Sequence, residues 1–209
     1  MSCGKGRAFT LVELLVVISI IGVLAAILLP ALNAALERAE RAKATHQLGQ
    51  IRAAVQAYYG EYGSMPCPDT EGGRAPDTEQ ARDYAYGSKS CSHKQKSVMD
   101  ILRGKDTTNN YRGLIFLNVP EESLTGTDKD GNSYTEADGY YLDPWGNPYM
   151  IAMDCNYDGT LRVEGLDDPA QSHVLAISSG GDGIFPGLTI GVMSYGPDPE
   201  RLDSFMTSW

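Results

Sequence analysis

Residues 9–32 are almost wholly apolar, interrupted by Thr10, Glu13 and Ser19, with Gly22 and Pro30 as the only backbone irregularities. As a helix these 24 residues reach about 36 Å, enough to cross the hydrocarbon of a bilayer. The charges ahead of the run are Lys5 and Arg7. A basic flank predicts a cytoplasmic N-terminus and an exported remainder. A conventional cleaved signal would end in a small-x-small triplet just after the run. The first such triplet, Ala42-Lys43-Ala44, lies beyond Glu37, Arg38, Glu40 and Arg41, too far into charged sequence. A plain membrane anchor is disfavoured by Glu13, because an unpaired acid in a bilayer costs on the order of a few kcal/mol. Glu13 therefore calls for a cation. Cleavage between Ala8 and Phe9 would create one, a new α-amino group four residues before Glu13, free to pair with the Glu13 of a neighbouring copy.

Beyond Pro30 the helical pattern continues. Ala31, Ala34, Ala35, Ala39, Ala42 and Ala44 permit close helix approach, and Glu37 and Arg41 stand at i,i+4 in the favourable order. Leu48, Ile51, Val55, Tyr58 and Tyr62 form one stripe at three-four spacing, expected to pack on a sheet. Gly60 and Gly63 are expected to end the helix. Past it, prolines and glycines make residues 64–96 loop-like. Residues 97–103 read as a short helix capped by Ser97, and 123–139 as a long loop. Residues 115–119, 149–153, 161–163, 173–178 and 191–195 read as short strands of an antiparallel sheet. The class is α+β.

Charge is segregated. Residues 1–60 carry +3 against −10 for the whole chain, so the remaining 149 residues carry −13. Such a head repels phosphates, and no nucleic-acid partner is expected. Four cysteines are present without a CxxC pair. In an oxidising compartment Cys67–Cys91 is the preferred disulfide, with reduced thiols as the alternative; a zinc site from Cys67, Cys91, His93 and Cys155 has irregular spacing.

Gly-Arg-Ala8 followed by Phe9-Thr10-Leu11-Val12-Glu13-Leu14-Leu15 resembles the N-terminal signal of type IV pilins and of type II secretion pseudopilins. The resemblance implies a leader over 1–8, removed by a membrane prepilin peptidase that then methylates the amine of Phe9. It implies an assembly role for Glu13 and a helix-kinking role for Pro30. The helix over 9–62 would be transmembrane over 9–32 and packed on the head beyond that. A periplasmic head over 63–209 would carry the sheet, completing a pilin fold. Ala8 stands where the family usually has Gly. Asp143-Pro144-Trp145-Gly146-Asn147-Pro148-Tyr149 is similar to a segment of major pseudopilins, and Ser194-Tyr195-Gly196-Pro197-Asp198 with Leu202, Asp203 and Trp209 is similar to their C-terminal pattern. The expectation is a structural subunit of a pseudopilus, with homo-oligomeric filaments, other pseudopilins and an inner-membrane assembly platform as partners. A type IV pilus subunit for adhesion, motility or DNA uptake is the neighbouring reading. A membrane-tethered, calcium-dependent binding module is a third.

Asp154-Cys155-Asn156-Tyr157-Asp158-Gly159 has the form D-x-N-x-D-G, in which alternate oxygens converge on a cation and glycine permits the turn. The twelfth position of an EF-hand loop is Gly165 instead of Glu, so a calcium-holding β-loop is the expectation, with an Asx-rich turn as its rival. Asp128-Lys129-Asp130-Gly131 is read as a solvated turn. Resemblance to major pseudopilins adds Asp182, Asp198 and Asp203 as calcium candidates. No nucleophile-elbow, zinc-protease or phosphate-loop motif occurs, and an enzyme is not expected.

Overall fold

The structure, a computed structural model, describes residues 10–68, 83–87, 89, 93–128, 130–162, 184–197 and 206–208. The chain falls into two units, Met1–Glu40 and Arg41–Trp209.

One helix, α1 (Leu11–Tyr62), contributes to both units and contains Pro30. Proline lacks an N–H, so the carbonyl of Ala26 has no donor from the next turn. In the first unit every described side chain is exposed, from Leu11 at 80% to Leu36 at 54%. By length and composition this stretch is apolar enough to cross a membrane. The second unit contains the rest of α1, whose buried positions are Ala44, Gln47, Leu48, Ile51, Ala54, Val55 and Tyr58. This is the expected stripe, with Tyr62 packed at its edge. Gly63 ends the helix: at φ +70° it takes the left-handed conformation, and its N–H bonds the Tyr59 carbonyl at 2.8 Å. Gly60 lies inside the helix and does not end it.

The main sheet is antiparallel with strand order β1 (Tyr84–Tyr86), β4 (Met150–Met153), β7 (Ile190–Ser194) and β8 (Met206–Thr207). Registers include Ala85↔Ala152, Ile151↔Val192 and Met193↔Thr207. Two small ribbons complete the described strands: β2 (Gly126–Thr127) with β3 (Ser133–Tyr134), and β5 (Thr160–Arg162) with β6 (Ile184–Pro186). Ile151, Met153, Ile190 and Val192 join the α1 stripe and Val98, Met99, Ile101 and Leu102 of helix α2 (Gln95–Leu102) in one core. Met150, Ala152 and Met193 face the other way, onto Leu161 and Leu188. Strands β4 and β7 are thus covered on both faces, which is why their sequences are continuously apolar and not alternating.

Several expectations are corrected. Residues 115–119 form no strand; the N–H groups of Phe116 and Leu117 both bond the Leu102 carbonyl, at 2.9 and 3.1 Å, fastening the segment to the end of α2. Helix α2 starts after Lys94, without a side-chain cap, and Ser97 lies inside it. Residues 123–139 are not a plain loop but carry the β2–β3 ribbon and a short 3-10 turn at Glu136–Asp138. Strand β1 emerges from the segment expected to be loop. The expected strand over 173–178 lies outside the described residues.

Candidate functional site

The start of α1 is a reciprocal cap. The N–H and hydroxyl of Thr10 both donate to Oε2 of Glu13, at 2.9 and 2.7 Å, and the N–H of Glu13 donates to Oγ1 of Thr10 at 3.2 Å. This is a capping box, formed because Thr10 and Glu13 are three residues apart at the helix entry. Electrostatics at a helix N-terminus also favour an acid there. Glu13 in a bilayer calls for a cation; in the single chain Thr10 supplies donors instead. Pro30 and the alanines from Ala31 to Ala39 lie on the exposed part of the same helix. Ala8 and Phe9 lie outside the described residues.

The D-x-N-x-D-G segment folds as a turn between β4 and β5. Asp154 is 2% exposed, and its carboxylate accepts the N–H groups of Tyr157 (2.7 Å) and Gly159 (3.0 Å). Asn156 Oδ1 accepts the Asp158 N–H, and Asp158 Oδ1 accepts that of Thr160. Each of these oxygens accepts a backbone amide, so the segment is a series of Asx turns. Among the described residues no group of three or more His, Cys, Asp or Glu side chains is placed to hold a metal ion. The candidates Asp182, Asp198 and Asp203 lie outside the described residues. Asp128, expected to be solvated, is 7% exposed and anchors its own turn, accepting bonds from Asp130, Asn132 and the Tyr134 hydroxyl.

The Asp143–Tyr149 stretch is a clamp. Asp143 is buried; one carboxylate oxygen accepts the N–H groups of Trp145 (3.0 Å) and Asn147 (2.9 Å), and the other accepts the Ser194 hydroxyl at 2.7 Å. Burial pushes its carboxyl up to about 6, partly offset by those hydrogen bonds. Gly146 has φ +92°, and a Cβ there would come within 2.7 Å of the Thr127 carbonyl oxygen, so the turn admits only glycine without displacement. The Tyr149 hydroxyl donates to Gln47 of α1 at 2.7 Å. The clamp thereby joins the end of β7 to the helix. Sequence reading missed Gln47, since a polar residue beside Leu48 gives no sign of burial. It also missed Gln95, whose amide makes both bonds to the Tyr141 backbone. Cys67 pairs with Cys155, not with Cys91, which lies outside the described residues. The pairing follows from where β4 ends, beside the segment leaving α1.

A long helix, apolar and exposed over its first unit, together with an antiparallel sheet in the second unit, defines a chain of α+β class. Residues 4–29 match the model of the prokaryotic N-terminal methylation motif. The chain is 32% identical over 107 residues to a fimbrial protein of Neisseria meningitidis serogroup A, covering 51% of this chain and 61% of that one. It is 41% identical over 69 residues to fimbrial protein EcpC of Eikenella corrodens, covering 33% and 45%. It is 39% identical over 69 residues to type IV major pilin protein PilE1 of Neisseria gonorrhoeae, covering 33% and 42%. The matches thus span about half the length of these relatives. No solved structure matches the chain. By its motif and its relatives the chain is similar to type IV pilin-like fimbrial proteins.

Proposed function

We propose that the chain is a filament subunit of a type IV pilus, cleaved between Ala8 and Phe9 by a prepilin peptidase and methylated on Phe9. The mature chain rests in the inner membrane, head outward, until an assembly platform extracts it. Self-packing of α1 then replaces lipid. The observation that carries the reading is the first unit of α1, whose large apolar side chains from Leu11 to Leu36 are all exposed. Only lipid or other copies can cover such a surface at low cost. The relatives favour the pilus over the pseudopilus, since those above are named fimbrial proteins or pilins. The pseudopilus remains the second reading, favoured by the Asp143–Tyr149 clamp segment.

The experiment combines the N-terminal mass of the protein from its native cells with electron microscopy of sheared filaments. Loss of residues 1–8 with one added methyl group, and filaments that vanish in Glu13→Ala, are expected. An intact Met1, or filaments unaffected by Glu13→Ala, would sink the assignment.

A further inference from the structure

The head holds a cavity of about 370 Å³ that the filament reading does not use. Gln56 and Tyr59 of α1, together with Gly159 and Thr189, are its exposed lining residues; Met65, Asp154 and Ile190 are its buried ones, with Tyr157 between. The volume is within the range of small-molecule sites.

Two observations narrow the ligand. Among the described residues no cation lies beside the carboxylate of Asp154, which is 2% exposed and held only by the amides of Tyr157 and Gly159. An ionised carboxylate retains acceptor capacity beyond two donors and favours a compensating positive charge when buried. Second, Tyr157 is the one non-glycine with positive φ among the described residues, at +62°. A bulky residue in that conformation carries strain that its surroundings must hold. Here the holding contacts are its N–H on Asp154 and its hydroxyl, which accepts the Met65 N–H at 2.6 Å. The outcome is a ring 6.3 Å from that of Tyr59, tilted by 31°, so that both rings line the same cavity.

We propose that this cavity binds a small organic cation of the alkylammonium or quaternary ammonium class. Asp154 supplies the charge, and Tyr59 and Tyr157 supply the aromatic wall. Cations are attracted to the faces of such rings, and most strongly where water is excluded. Anions are repelled by residues 61–209, which carry −13. The proposal is independent of the filament reading.

The test is calorimetric titration of the full chain in neutral detergent micelles with tetramethylammonium and with butylammonium, tert-butanol being the uncharged comparison. Saturable binding of either cation, weaker binding of tert-butanol, and a loss of affinity of about fivefold or more in Tyr59→Ala are expected. Asp154→Asn should weaken the cation further. Tyr59→Ala removes a side chain exposed at 43%, so it keeps the test open if Asp154→Asn fails to fold. No saturable cation binding, equal binding of tert-butanol, or unchanged affinity in Tyr59→Ala would overturn the proposal.

Discussion

Replacing both Cys67 and Cys155 with Ser should destabilise the head far more than any surface change. The bond closes a sequence separation of 88 residues. In the chain-entropy treatment a loop of that length restricts the unfolded ensemble by about 4–5 kcal/mol, and measured losses run about 2–4 kcal/mol. Strain and residual structure in the unfolded chain account for the difference, so the lower range is the working expectation. For a chain of this size, that corresponds to a fall in Tm of roughly 5–15 °C. The measurement is urea unfolding of the full chain in micelles, followed by near-UV circular dichroism. That signal reports the packed tyrosines of the head and not the membrane-seeking part of α1. Cys91→Ser is the control and should leave the midpoint in place. A double variant within about 1 kcal/mol of the parent, or a Cys91→Ser variant that loses as much, would refute the reasoning.

Gly146→Ala must bring a methyl group against the Thr127 carbonyl at positive φ, so it should cost about 2 kcal/mol or more in the same urea assay. Asp143 titrates at about 6 in the fold, above the ordinary carboxylate value of 3.8. The group's stabilising contribution is therefore complete below the unfolded value and is lost as pH rises through about 6. Asp143→Asn should remove a pH dependence of about 2–3 kcal/mol between pH 4 and pH 7, read from urea midpoints at the two values. Thr10→Val deletes the hydroxyl half of the cap at the start of α1. It should weaken the first turn by about 1 kcal/mol, seen as faster amide exchange at Leu11 to Leu14 in micelles.

Much of the architecture was legible in the sequence because it rests on local patterns. The apolar run, the stripe from Leu48 to Tyr58 and the ending at Gly63 each depend on residues within a few turns of one another, and each is found in place. Strands β4, β5 and β7 were legible for a related reason, being short apolar runs between turns. The prolines, glycine and aromatics of the Asp143–Tyr149 stretch are also local, and they shape the clamp found there. The capping box at Thr10 was equally local, three residues from acid to hydroxyl. A charge is not the one partner that Glu13 can take, because hydrogen-bond donors also satisfy a carboxylate.

What the sequence concealed depends on partners distant along the chain. Gln47 is polar on an otherwise apolar face, and only the arrival of Tyr149, 102 residues later, makes it a buried acceptor. Gln95 is buried because the Tyr141 backbone needs both a donor and an acceptor, a demand invisible at position 95. The disulfide followed the same rule: Cys91 is nearer in sequence to Cys67, but the fold sets Cys155, just past the end of β4, against it instead. Residues 115–119 have strand composition and yet no strand, since their amides were taken by the last turn of α2. Burial of polar groups in this head is thus set by the requirement that each buried donor and acceptor be met. At Gln47 and Gln95 that requirement is met across the fold and not along the chain, so composition at a single position does not disclose it.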